Sequence, residues 1–90
     1  MRMTARHLIV HGHVQGVSFR DWMVTTALEH DVAGWVRNLP NGTVEAHLEG
    51  ADEAIGALIG RTHDGPPAAN VRKIELDDAP FQSFEGFERR

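Results

Sequence analysis

The pattern of apolar and polar residues predicts four short β-strands, and apolar and polar residues alternate along three of them. In the first stretch, the run Leu8-Ile9-Val10 predicts a central strand that is at least partly buried on both faces. In the third stretch the alternation is regular, so one face is expected to be buried and the other to lie in water. In the fourth, Ile74 and Leu76 are the expected inward residues. The stretches are Thr4 to His11, Gly34 to Asn38, Thr43 to Glu49 and Val71 to Leu76.

A helical period of apolar residues occurs twice between these strands. The first helix follows a loop from Gly12 to Val17 and runs to about His30. Ser18 is expected to cap its start, with Asp21 taking the place of the usual Glu in a capping box. Asp52 is expected to cap the second helix, which ends before the sequence Asp-Gly-Pro-Pro at 64–67.

The order β-α-β-β-α-β predicts an α+β fold of the ferredoxin-like split βαβ type, with an antiparallel sheet and both helices on one face. Residues 1–90 are expected to form a single domain. Right-handed crossovers make strands one and two parallel, with strand three between them. The loop after strand one and the end of strand two then lie at the same end of the sheet, about 10 Å apart.

Composition excludes several classes of function. The formal net charge of −4 disfavours a nucleic-acid partner, because such proteins use a cationic face to displace phosphate counterions. The absence of cysteine excludes thiolate metal sites and a cysteine nucleophile. No apolar run resembles a membrane span or a signal peptide, so no membrane partner and a cytoplasmic location are expected.

The loop after the first strand has the chemistry of an anion site. Gly12 and Gly16 allow backbone N–H groups to converge on one point, and the first N–H groups of the helix point to the same place. Arg20 lies at the positive end of the helix dipole, which is unfavourable unless an anion is bound nearby. The spacing alone is explained equally well by an ordinary strand-to-helix turn with an exposed arginine.

Two motifs decide between these interpretations by resemblance. The stretch Gly12 to Arg20 (GHVQGVSFR) resembles the signature G-x-V-Q-G-V-x-F-R of the acylphosphatase family. The stretch Gly34 to Asn38 (GWVRN), with the Gly-Thr-Val return at 42–44, is similar to the family's second motif. The motifs occur in the family's order, and the resemblance extends over nearly the whole chain.

The resemblance implies hydrolysis of acyl phosphates to a carboxylate and inorganic phosphate, without a metal or a cofactor. In the family an arginine and loop amides bind the phosphoryl group, and an asparagine orients the attacking water. These roles fall on Arg20 and Asn38, with the phosphate-binding loop formed by Gln15, Gly16, Val17, Ser18 and Phe19. The expected partner is a small-molecule acyl phosphate and the expected state is a monomer.

Other interpretations remain open at this stage. A noncatalytic phosphate-binding module of the same fold would keep the same loop, and an RNA-binding domain would need basic and aromatic residues on its central strands. Thr43 could support Asn38, although a threonine that opens a strand needs no such role. His11 and His13 have metal-ligand spacing but no evident third ligand.

Two residues depart from the family pattern. His13 stands where arginine is common, and it would strengthen phosphate binding at low pH if it faced the loop. Arg89 stands in the final stretch, from Phe84 to Arg90, where an apolar residue is expected. The last strand is therefore expected to be short.

Overall fold

A computed structural model, which describes residues 2–90, has the predicted order of elements, and the last strand is short, as expected. The five strands form one sheet in the order β4-β1-β3-β2-β5, in which only β2 and β5 pair in parallel. The ferredoxin-like α+β fold and the position of the third strand between the first two are confirmed. The elements are β1 (Met3–His13), α1 (Phe19–Glu29), β2 (Ala33–Asn38), β3 (Val44–Ala51), α2 (Asp52–Asp64), β4 (Asn70–Asp78) and β5 (Phe87–Arg89).

The core lies between one face of the sheet and the two helices. Alternate residues of the strands point toward the helices, and residues three or four apart on each helix point back. Burying each large apolar side chain contributes about 1.5–3 kcal/mol, so this face fixes how the helices sit on the sheet. Its fully buried residues include Leu8, Val10, Val36, Leu48, Phe19, Met23 and Leu58.

Neither predicted helix cap forms. Ser18 has a left-handed backbone, with φ at 59°, and its hydroxyl makes no capping hydrogen bond. Its carbonyl oxygen accepts the N–H of Trp22 at 3.0 Å instead. Ala51 takes the cap position of α2, while Asp52 lies inside the first turn and accepts a hydrogen bond from the Thr4 hydroxyl at 3.3 Å. An acidic residue in that first turn still interacts favourably with the helix dipole.

The expectation that one face of the third strand lies in water is wrong. His47 and Glu49 are only 4% and 2% exposed. The irregular segment between β4 and β5 crosses this face, and Glu49 accepts the main-chain N–H groups of Gln82 and Phe84. A chain segment without regular structure therefore covers the side of the sheet opposite the helices.

Both predicted inward residues of the fourth strand lie on the helix side of the sheet, where Ile74 pairs with Val10 and Leu76 pairs with Leu8. Ile74 is half-buried and packs against the core, but Leu76 is 43% exposed. The strand β4 lies at the edge of the sheet, and Leu76 lines a shallow cavity beside Gly56 and Ile59 of α2. Gly56 has no side chain that could reach across and cover Leu76.

Candidate active site

A cavity of about 250 Å³ opens at the end of the sheet where β1 and β2 finish. The β1–α1 loop and the first turn of α1 form one wall, and the ends of β2 and β5 form the other. The sequence analysis placed the loop and the end of β2 at the same end of the sheet, and the structure brings them together here. The lining residues are Val14, Gln15, Gly16, Ser18, Phe19, Arg20, Asp21, Asn38 and Arg89.

The backbone of the loop turns through two left-handed residues. Gly16 has φ at 73° and Ser18 has φ at 59°, immediately before the free N–H groups that open α1. Left-handed residues beside helical ones direct successive N–H groups into a concave nest, which attracts anions. Val17 does not line the cavity, because its side chain packs against the core.

Gly12 does not belong to this nest, contrary to the expectation from sequence. It lies within β1, at an irregularity in the pairing with β4. A Cβ atom at this position would lie 2.0 Å from the carbonyl oxygen of Asn70. Glycine is needed here because the two strands approach closely.

The side chain of Gln15 connects the β1–α1 loop to the turn between β2 and β3 through two hydrogen bonds. Its Nε2 donates to the carbonyl oxygens of Leu39 at 2.8 Å and Thr43 at 2.9 Å. The sequence analysis assigned only the backbone of Gln15 to the site. The motif contained the glutamine, but no sequence signal showed which carbonyl groups its side chain meets.

Arg20 and the neighbouring Asp21 are both held by the last strand. Nη1 of Arg20 donates to the main-chain oxygen of Arg90 at 2.9 Å. Arg89 forms an ion pair with Asp21, with 3.3 Å between nitrogen and oxygen. From sequence, Asp21 was expected only in a capping box and Arg89 only as a departure from an apolar pattern.

Asn38 contributes a polar atom that has no partner. Its Oδ1 is buried and accepts no hydrogen bond within the described part of the chain. Thr43 does not support it, because the Thr43 hydroxyl donates to Oδ1 of Asn41 at 2.6 Å. A buried acceptor without a hydrogen bond costs about 1–3 kcal/mol, so Asn38 is ready to accept one from a molecule in the cavity.

The two histidines lie outside this cavity. His13 is exposed and, with His11 and Arg72, lines a separate open cavity. Nε2 of His11 donates to the Glu75 carboxylate at 2.7 Å. Residues 2–90 contain no group of three or more His, Cys, Asp and Glu side chains that could hold a metal ion. No helix in the same range is long and apolar enough to cross a membrane.

The fold and the cavity place the protein among ferredoxin-like α+β domains that have an arginine-lined pocket at the start of the first helix. The acylphosphatase family model matches residues 6–89. The chain is 51% identical to an acylphosphatase of Acidovorax sp. (strain JS42), over 94% of this chain and 88% of that protein. It is 48% identical to an acylphosphatase of Thermococcus kodakarensis, over 97% and 96% of the two chains.

A solved structure extends the similarity to three dimensions. The acylphosphatase from Coxiella burnetii matches with a TM-score of 0.94 and 34% identity, over 98% of this chain and 93% of that one. The chain belongs to the acylphosphatase family, and the resemblance found in its motifs is confirmed. The family consists of hydrolases that act on acyl phosphates.

Proposed function

We propose that the protein hydrolyses acyl phosphates in the cavity between the β1–α1 loop and the end of β2. In this proposal Arg20 and the main-chain N–H groups of residues 15–19 bind the phosphoryl group. Asn38 orients the water that attacks it. The reaction needs neither a metal nor a cofactor.

The electrostatics of the loop support phosphoryl binding. The nest at Gly16 and Ser18 adjoins the positive end of the α1 dipole, and Arg20 lines the same cavity. A guanidinium group can donate two parallel hydrogen bonds to two phosphoryl oxygens. The hydrogen bond from Arg20 to the main-chain oxygen of Arg90 limits the rotamers of the Arg20 side chain. A bound dianion would in turn remove the unfavourable interaction of Arg20 with the helix dipole.

The buried Oδ1 of Asn38 is the observation that carries the proposal. Asn38 lines the cavity that holds Arg20, and this oxygen has no hydrogen-bond partner among residues 2–90. A water molecule in the cavity can donate one proton to this oxygen, which directs a lone pair of the water toward the phosphorus. Positioning of this kind replaces a bimolecular encounter with a reaction between groups that are already aligned.

The chemistry of the substrate explains why so few groups suffice. The water oxygen forms a bond to phosphorus while the bond between phosphorus and the acyl oxygen breaks, and its electron pair remains on the carboxylate. The balance is RCO–OPO₃²⁻ + H₂O → RCOO⁻ + H₂PO₄⁻, with both protons of the water ending on phosphate. Carboxylic acids have pKa values of about 4, so the leaving group needs no general acid at neutral pH. Charge stabilisation and positioning dominate phosphoryl transfer.

Turnover of benzoyl phosphate in the presence of a chelator tests this function. We expect Arg20→Gln to lower kcat/KM by about 10³-fold or more and to abolish inhibition by inorganic phosphate. We expect Asn38→Ala to lower kcat by about 10²–10³-fold while inhibition by phosphate is largely retained.

Two outcomes would contradict the proposal. A wild-type protein that binds phosphate but hydrolyses no acyl phosphate would be the noncatalytic binding module. Loss of both turnover and phosphate binding in Asn38→Ala would contradict the separate roles of Asn38 and Arg20. Lys73→Gln serves as the control, because Lys73 is exposed on β4 at the opposite edge of the sheet.

A further inference from the structure

We infer that Arg89 gives the site a preference for acyl phosphates whose acyl group carries a carboxylate. This inference rests on the proposed function and names the class of substrate. The two motifs identify residues for the phosphoryl group and the water, but they contain nothing that selects an acyl group. Arg89 lies outside both motifs and lines the same cavity.

The pairing of the last strand directs Arg89 toward the cavity. The strand β5 runs parallel to β2, with Phe87 beside Gly34 and Arg89 beside Val36. Residues two apart on a strand point to the same side, and Phe87 packs into the core beneath the helices. Arg89 therefore lies on the helix side of the sheet, as Asn38 does two residues beyond Val36.

The charge of Arg89 is available to a ligand. Its partner is Asp21, at 3.3 Å, and the two side chains are 51% and 68% exposed. Exposed ion pairs of this kind are worth about 0–1 kcal/mol, so a substrate carboxylate can replace Asp21. Asp21 is stabilised independently in the first turn of α1, where the helix dipole favours an acidic residue.

The carboxylate is assigned to the acyl group because the phosphoryl group already has its ligands. In the proposed function Arg20 and the loop N–H groups bind the phosphoryl group, whereas Arg89 lines the same cavity with a side chain that is 51% exposed. The acyl group is the part of the substrate that projects away from the phosphoryl-binding loop, and Arg89 is the cation left to meet it. A carboxylate matches the planar fork of a guanidinium with two parallel hydrogen bonds.

A matched set of three substrates tests the inference. Benzoyl phosphate and its 3- and 4-carboxy derivatives differ only by the extra carboxylate, and the rigid ring prevents that group from attacking its own anhydride. The measured quantity is the ratio of kcat/KM for the carboxylated substrate to kcat/KM for benzoyl phosphate. We expect Arg89→Gln to lower this ratio by about tenfold for the better of the two isomers. Inhibition by inorganic phosphate should stay unchanged.

Three variants separate the role in specificity from a structural role. Arg89→Lys keeps the positive charge but not the planar guanidinium, so it should lower the ratio by less than Arg89→Gln does. Asp21→Asn removes the competing carboxylate and should raise the ratio when Arg89 is present but not in the Arg89→Gln background. Lys73→Gln makes the same change of charge at the far edge of the sheet and should leave the ratio unchanged. Thermal unfolding of each variant shows whether β5 stays in place.

The results that would overturn the inference are distinct from those that would overturn the proposed function. Equal losses on both substrates in Arg89→Gln would place Arg89 on the phosphoryl group. Unchanged kcat/KM values for all three substrates in both Arg89→Gln and Asp21→Asn would show that Arg89 binds no part of the substrate. If the wild-type protein hydrolyses none of the three substrates, the proposed function itself fails.

Discussion

Single glycines in the first motif meet different requirements. Gly12 allows β1 and β4 to approach closely, since a Cβ atom would lie 2.0 Å from the Asn70 oxygen. Gly16 has open space around it, and only its positive φ requires glycine. The motif therefore contains one glycine for the fold and one for the site.

Alanine substitutions should separate these two requirements. We expect Gly12→Ala to lower the free energy of unfolding by about 2 kcal/mol or more, because strain at positive φ adds to a clash with the backbone. We expect Gly16→Ala to cost only about 1 kcal/mol of stability but to weaken phosphate inhibition, because the loop must change shape. Urea unfolding and phosphate inhibition constants measure both effects. Gly56→Ala, at an exposed helical position with open space, is the control and should stabilise by about 0.5–1 kcal/mol.

The two motifs predicted which residues of the candidate site share a cavity. Arg20 and Asn38 were placed correctly on one cavity because the right-handed crossover brings their elements to the same end of the sheet. The contacts of Gln15 and Arg89 could not be predicted in this way. Their side chains meet atoms about 24 and 68 positions away along the chain, and such contacts depend on tertiary packing.

Among the elements, β3 departs most from its prediction. Its alternation predicted one face in water, but the irregular segment from 79 to 86 covers His47 and Glu49. An alternating pattern shows which side chains share a face, yet it does not show whether an irregular segment will cross that face. Phe84 lies with its ring edge against His47, with 5.3 Å between the ring centroids. Trp35 stacks on the same histidine, with 6.2 Å between centroids.

Glu49 is the residue that attaches this segment to β3. We expect Glu49→Gln to lower the free energy of unfolding by about 2–4 kcal/mol, because an amide cannot accept all three hydrogen bonds and leaves a buried donor unpaired. Limited proteolysis should then cut between 79 and 86 more readily. Glu75→Gln on exposed β4 makes the same chemical change and should shift stability by less than about 0.5 kcal/mol. Equal effects of the two substitutions would show that the segment is held by its aromatic contacts alone.

At the scale of the molecule, the free energy of unfolding depends on pH through two carboxylates, the buried Glu49 and the partly buried Glu45. Burial raises the pKa of Glu49, but hydrogen bonds from His47 and from the amides of Gln82 and Phe84 outweigh it, and the pKa falls below its ordinary value of 4.5. Burial also raises the pKa of Glu45, and hydrogen bonds from His7 and Arg37 again lower it below 4.5. Both groups bind protons more weakly in the folded protein than in the unfolded chain.

The sign of the resulting pH dependence follows from linkage. A group with a lowered folded pKa contributes stability that is fully present above about pH 4.5 and is lost as the pH falls through the folded value. We expect urea unfolding between pH 3 and 7 to show decreasing stability below about pH 5. The slope should be shallower in Glu49→Gln, and an identical slope in this variant would show that other groups cause acid unfolding.

The overall topology was predictable, except for the place of the last strand in the sheet. Six elements and the position of β3 between β1 and β2 followed from periodicity and from the hand of the crossovers. The strand β5 has three residues and carries charges at Glu88 and Arg89, so its pattern predicted a short strand but not the neighbour with which it pairs. Its position beside β2 is fixed by the burial of Phe87 beneath α1, a contact between distant parts of the chain.

The pairing of β5 with β2 also determines when a folding molecule completes its cavity and becomes active. Arg20 and the Arg90 oxygen that orients it are 70 positions apart, and residues on both sides of this span line the cavity. Forming a contact of such long range is slow compared with helix and hairpin formation, so the pocket is completed late on the route from random coil to native state. After dilution from denaturant, the recovered enzymatic activity would therefore come only from molecules in which β5 has paired with β2.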